Sequence, residues 1–248
     1  MTKQEKIEQY IAKDWYNNKG EKMIIISYIS YSNVVVEFEN GYITKTSMSH
    51  IKEGRVKNMF YKLVCGVGFL GEGKYDSKHK SKRYWANMLH RCYNKKIHKE
   101  RPTYKGCSVD DQWHNFQNFA EWFDENNNPE TMKDFVLDKD ILIKNSKSYS
   151  SKTCCFVPQE INGLFTKTSA KRGKYPIGVI KEGNKFRAEI SYKKKSTYLG
   201  AFNTIEEAFQ AYKTAKEVLI KKVADKWKGK ITEQVYEAMY NYQVEITD

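Results

Sequence analysis

Asp138 and Asp140 stand two residues apart in FVLDKDILI, residues 135–143. The run reads as a strand, and on a regular strand residues two apart face the same side. Carboxylates held side by side repel unless something positive lies between them. A divalent metal ion would supply that charge. So would Lys139, Lys144 or Lys147 nearby, and the residues leave both readings open. A second concentration of chemistry lies downstream. Lys and Arg number 43 against 30 Asp and Glu, a net charge of +13, and residues 166–201 alone carry 10 basic and 2 acidic side chains. Tyr, Phe and Arg interleave with these lysines, a composition that suits a polyanion and nucleic acid above all. A cationic surface that only keeps the chain dispersed is the plainer alternative.

The rest of the composition bounds the classes. A chain of 248 residues with 40% hydrophobic and 14% aromatic residues builds packed cores, as one large domain or two to three small ones. No apolar run approaches the ~20 residues that cross a bilayer, and MTKQEKIEQYIAKDWYNN lacks the apolar centre of a signal peptide. Five cysteines without a CxxC pair fit a reducing compartment, so an intracellular, cytoplasmic protein is expected. No internal repeat stands out.

These groups need elements to hold them. Residues 2–17 read as a helix, with Thr2 and Glu5 as a capping box and Ile7, Tyr10, Ile11 and Trp15 at helical spacing. Residues 23–57 are β-branched and alternating, with Asn40-Gly41 between two strand-like runs, so a small β unit resembling a barrel is expected. The Gly- and Lys-rich stretch 66–82 reads as a linker or flexible loop; its glycines do not form a GxGxxG that opens a helix. A helix follows over 83–93 with Trp85, Met88, Leu89 and Cys92 on one face, and Trp113, Phe116, Phe119, Trp122 and Phe123 mark another, ending near Asn126. Residues 153–157 read as the partner strand of 135–143, and Pro158 opens a short helix. From Tyr175 three short strands alternate with EGN and KKKS turns. An amphipathic helix follows, capped by Thr204 and Glu207 and stopped at Lys228-Gly229-Lys230, and then a last helix, ITEQVYEAMYNY.

The C-terminal pattern is Gly178-Val179, then Phe186-Arg187-Ala188-Glu189-Ile190, then Tyr198-Leu199-Gly200-x-Phe202-x-Thr204-x-Glu206-Glu207-Ala208-x-x-Ala211-Tyr212. Over about residues 175–228 it resembles the APETALA-two/ethylene-response-factor DNA-binding domain, with Phe186 where that family usually has Trp. The resemblance implies a three-stranded sheet in the major groove of duplex DNA, braced from behind by a helix, and a β-ribbon has the width to enter that groove. The candidate DNA-binding residues are Lys181, Lys185, Arg187, Tyr192, Lys193, Lys194, Lys195 and Tyr198. Lysines would neutralise phosphates. Arg187, with its planar fork, is the candidate to read a guanine edge; a phosphate or a surface carboxylate is its other possible partner. RNA suits a sheet less, because its major groove is deep and narrow.

The centre carries a second pattern: Arg91-Cys92-Tyr93-Asn94, Tyr104-Lys105-Gly106-Cys107-x-Val109, Trp113-x-x-Phe116-x-x-Phe119, Leu137-Asp138-Lys139-Asp140, Tyr149-Ser150-x-x-x-Cys154-x-Phe156, and Asn162. Over about residues 83–166 it is similar to phage-type HNH-like homing endonucleases, several of which carry an APETALA-two module downstream. The resemblance implies a hairpin and a helix gripping one divalent ion, magnesium or manganese, with Asp138 and Asp140 at the hairpin position and Asn162 at the helix position. The usual hairpin histidine is missing, since His114 is the last in the chain. His114 could reach over as general base, with Asp138 as the alternative; a histidine among aromatics also reads as a packing or capping residue. Cys92, Cys107, Cys154 and Cys155 with His90 or His114 could hold a structural zinc ion, though long spacings favour buried thiols.

The expected fold is therefore α+β and multi-domain. An N-terminal helix plus small β unit spans 1–62, a ββα-metal, HNH-like module spans 63–166, and a three-stranded antiparallel sheet packed on a helix, with a terminal helix, spans 167–248. The expected function is sequence-selective binding of double-stranded DNA, with metal-dependent phosphodiester hydrolysis. The alternatives are a non-catalytic DNA-binding regulator with a degenerate nuclease module, and a phage-encoded inhibitor protein acting on a host DNA-binding or defence protein. No membrane partner is expected; a palindromic target would require a homodimer.

Overall fold

A computed structural model describes residues 2–128, 130–166 and 174–247. Residues 167–173, where the C-terminal module was expected to begin, lie outside the described residues. The fold is mixed α+β, with eight helices and eleven strands among the described residues. It forms two compact units, one made of Met1–Asn94 and Asp111–Ala120, the other of Lys95–Asp110 and Glu121–Asp248. The segment 1–62 thus falls in the first unit, 63–166 is shared between both, and 167–248 falls in the second.

In the first unit, α1 (Lys3–Ile11) opens with the expected reciprocal cap between Thr2 and Glu5. It stops six residues short of the expected end. The Trp15 indole donates to the Tyr10 carbonyl at 3.0 Å, satisfying a helix-end acceptor, and Trp15–Tyr16 turn instead into strand β1. Strands β2 (Lys22–Ser30), β3 (Asn33–Phe38) and β4 (Ile43–Thr46) complete an antiparallel sheet of order β1-β2-β3-β4. It is an open meander with β1 and β4 as edges, so the expected barrel-like closure is not made. Met23, Ile25, Val34, Val36 and Phe38 are its buried face, closed by Met48 and Ile51 of α2 (Met48–Lys52). At Asn40-Gly41 only Gly41 takes a positive φ, +81°.

The glycine-rich stretch 66–82 is docked rather than loose. A Cβ on Gly68 would lie 2.4 Å from Leu89 Cδ1, so only glycine lets this backbone reach α3 (Ser81–Tyr93). Gln117 Nε2 donates to the carbonyls of Leu70 and Tyr75, at 3.2 and 2.9 Å, and fastens the same segment. Trp85, Met88, Leu89 and Cys92 are buried, the face expected from their spacing. Trp113 lies in a 3-10 turn (Asp111–His114) that precedes α5 (Phe116–Asn126).

The second unit begins with α4 (Lys95–Glu100) and a 3-10 turn (Pro102–Tyr104). Strand β5 (Ser108–Val109) pairs in parallel with β7 (Ser148–Tyr149), while β6 (Phe135–Asp138) pairs antiparallel with β8 (Cys155–Pro158). Helix α6 (Gln159–Phe165) follows β8 at once and packs on β6 and β8. Trp122 and Phe123 meet Phe156 at ring-centroid distances of 5.3 and 5.2 Å.

Strands β9 (Val179–Glu182), β10 (Lys185–Tyr192) and β11 (Lys195–Phe202) form an antiparallel sheet with β10 in the middle. Helix α7 (Ile205–Trp227) packs on all three, its Thr204–Glu207 capping box in place, and α8 (Glu233–Tyr240) packs on α7. Gly178 has φ +77°, and a Cβ there would lie 2.0 Å from Tyr212 Cδ2. Phe135 meets Trp227 edge to face at 6.1 Å, joining the β6–β8 pair to α7. No described helix is long and apolar enough to cross a membrane.

Candidate nucleic-acid interface

Register and burial divide the three-stranded sheet into two faces. Ala188 and its opposite number Val179 are buried, so their face meets α7. Arg187 is one residue along β10 and points away from the helix, as do Lys185 and Glu189. Tyr198, opposite Glu189, joins them and is 63% exposed. Lys181 pairs with Phe186, and Lys195 with Tyr192, so Lys181, Tyr192 and Lys195 fall on the α7 side by alternation. The open face therefore offers Lys185, Arg187 and Tyr198 from the eight candidates.

Lys193 and Lys194 form the two-residue turn between β10 and β11, with φ of 50° and 65°. This is the mirror-image turn that glycine and asparagine favour, taken here by two lysines. Left-handed backbone at a non-glycine residue costs about 1–2 kcal/mol. The strained turn puts two ammonium groups at the tip of the hairpin.

Among the described residues, acids of the chain itself hold two of these cations, Arg187 and Lys193. Arg187 Nη1 lies 3.4 Å from Glu182 Oε1, and Nη2 lies 3.3 Å from Glu189 Oε2. On the open face the charges of Lys185 and Arg187 are thus balanced by Glu182 and Glu189, and the net positive end is the hairpin tip. Arg187 Nε is buried without a hydrogen-bond partner among the described residues. Lys181, Lys185, Lys194 and Lys195 make no ion pair among them, and all four are exposed.

At the base of the tip sits Glu160 of α6, which sequence reasoning passed over as one more helical residue. Its Oε1 accepts from the Tyr192 hydroxyl and from Lys193 Nζ at 2.9 Å. Its Oε2 accepts from Lys226 Nζ at 2.5 Å and Trp227 Nε1 at 2.8 Å. Burial pushes this carboxyl up, but Lys226, Tyr192, Lys193 and Trp227 together outweigh it and hold Glu160 well below the usual carboxylate range. No local signal marks it, because its partners lie 32 to 67 residues away. Glu189 was legible: it is two residues from Arg187 on one strand face.

The paired aspartates have a different setting from the one expected. Asp138 ends β6, and Asp140 lies beyond it in a bend, so the two do not share a strand face. Asp138 Oδ1 accepts from the backbone N–H of Asp140 at 2.7 Å and of Ile141 at 2.9 Å, capping that bend. Desolvation by burial pushes its carboxyl up. The side chain of Lys139 is only 8% exposed; its Nζ donates to Asp140 Oδ1 at 2.7 Å and to the Ser146 carbonyl at 2.5 Å. Asn162 is on α6, half-buried. A divalent ion would meet an ammonium already bound to Asp140 and a carboxylate already capping a bend. These residues as arranged do not fit a magnesium or manganese site.

His114 belongs to the first unit, the aspartates and Asn162 to the second. Its Nε2 lies 3.2 Å from the Tyr93 hydroxyl and its Nδ1 3.5 Å from Asp111 Oδ1, so both ring nitrogens have partners within the first unit. The five cysteines are free thiols, and burial pushes Cys154 up to about 12. Cys65 Sγ lies 3.2 Å from His90 Nδ1. Among the described residues no group of three or more His, Cys, Asp and Glu side chains is arranged to hold a metal ion.

No protein-family model, curated protein or solved structure matches the chain.

Proposed function

We propose that this protein binds double-stranded DNA, with the three-stranded sheet as its docking surface and the β6–β8–α6 element as a structural support. The observation that carries this reading is the Lys193-Lys194 turn at the tip of β10–β11, beside an open face bearing Lys185, Arg187 and Tyr198. Lys194 and Lys185 contact phosphates. Arg187, steadied by Glu182 and Glu189, turns its fork toward a base edge when the groove supplies better acceptors. Helix α7 keeps the sheet rigid from behind.

A second reading, metal-dependent cleavage, is favoured by one feature: an antiparallel strand pair, β6–β8, runs directly into a helix bearing Asn162. It requires Lys139 to leave Asp140. One experiment separates the readings. Duplex binding is measured across a salt series, and plasmid nicking is followed with and without magnesium or manganese. The support reading expects salt-dependent binding without nicking. Arg187→Lys should lower discrimination between sites by about 1–3 kcal/mol and leave non-specific binding nearly intact. Metal-dependent nicking that Asp140→Ala abolishes would establish the second reading. No duplex binding at moderate salt would overturn both and point to a protein partner.

A further inference from the structure

We infer that Glu160 withholds Lys193 from DNA, so that the hairpin tip presents one phosphate-binding cation, Lys194, where its sequence offers two. The inference rests on the DNA-binding reading and names a control on the same surface.

A carboxylate has about four acceptor sites, two on each oxygen. Glu160 has all four filled: Tyr192 and Lys193 on Oε1, Lys226 and Trp227 on Oε2. Its side chain is 14% exposed, whereas that of Lys193 is 61% exposed. The acid is therefore the fixed partner and the lysine the mobile one. Tyr192 faces the α7 side of the sheet, so the same carboxylate draws Lys193 toward that side. Lys194 has no ion pair among the described residues, and its neighbour's charge is neutralised beside it. In charge and in donor set, Glu160 occupies the place a phosphate oxygen pair would take. A DNA phosphate reaching Lys193 must compete with an anion already held by three further donors.

Counterion release counts the cations that meet phosphate. Each adds about −0.9 to the slope of log affinity against log salt. Glu160→Gln removes the charge that holds Lys193 and keeps an amide that still accepts from Trp227 or Tyr192. The expected result is a slope steeper by about 0.9, so that affinity falls about threefold more between about 50 and about 200 mM salt. In the parent protein Lys193→Gln should leave the slope unchanged. Glu160→Gln combined with Lys193→Gln should return it to the parent value. Circular dichroism checks that each variant is folded, and the Lys193→Gln measurement stands even if Glu160→Gln does not fold. A Glu160→Gln slope equal to or shallower than the parent's overturns the inference. So does a Lys193→Gln slope reduced by a full contact. Either outcome leaves DNA binding itself intact. Failure of parent and Glu160→Gln proteins alike to bind duplex at low salt removes the DNA-binding reading first, and this inference with it.

Discussion

Lys139 Nζ lies 2.7 Å from Asp140 Oδ1, so the cation that relieves the Asp138–Asp140 pair is the residue between them. The ammonium also donates to the Ser146 carbonyl and lies 5.7 Å from the centre of the Tyr149 ring, tying the bend after β6 to the segment that leads into β7. A buried charge with one acid and one carbonyl for company is a structural fastener whose loss exposes both partners.

Lys139→Met should therefore destabilise the second unit by about 3 kcal/mol, because it leaves the Ser146 carbonyl unpaired and ends the ion pair. Asp140→Asn should cost less, since Asp140 is 44% exposed and its replacement can still accept a hydrogen bond. A double-mutant cycle by urea unfolding should give a coupling of about 1–3 kcal/mol. Millimolar magnesium should leave the parent midpoint where it is; a midpoint that climbs with magnesium would contradict the fastener role.

In the first unit, Lys82 Nζ lies 3.9 Å from the centre of the Trp85 ring and 4.8 Å from that of Phe116, buried without a hydrogen-bond partner among the described residues. Burial pushes its amine down to about 8. An unfolded lysine titrates near ~10.4. Between those values the unfolded state binds more protons than the folded one, so this group makes stability rise with pH across that window. Lys82→Met should abolish that rise. Urea midpoints of parent and variant should differ in slope from pH ~8 upward; parallel curves would rule out a lowered amine.

Lys194→Gly should have opposite effects on two measurements. Glycine accepts φ near 65° without strain, so thermal stability should rise by about 1 kcal/mol. Duplex affinity should fall, with the salt slope shallower by about 0.9. A variant that gains stability and binds DNA with an unchanged slope would take Lys194 out of the interface.

Gly178→Ala should loosen the sheet from α7. The new methyl would meet the Tyr212 ring at a backbone position already at φ +77°, a combined cost of about 3 kcal/mol or more. Tyr212→Ala in the same chain should recover part of the loss by opening the space. No recovery would assign the whole effect to the backbone.

Local chemistry carried much of this architecture in the sequence itself. The capping boxes at Thr2–Glu5 and Thr204–Glu207, the buried stripe of α3 and the strand-strand-helix order β6–β8–α6 depend on periodicity and on groups within a few residues of one another. So does the three-strand run before α7. What the sequence left open was selection among equivalents. Lys139, Lys144 and Lys147 were equal candidates beside the aspartates until the bend after Asp138 brought one ammonium to Asp140. Eight basic and aromatic residues were candidates on the sheet until the register divided six of them between two faces and left Lys193 and Lys194 in the turn. Glu160 had no signal at all, since its four donors come from the hairpin and from the end of α7. Periodicity assigns a residue to one side of its own element. Only the packing of distant elements decides which charges on those sides meet, because an ion pair depends on distance in space and is indifferent to separation along the chain.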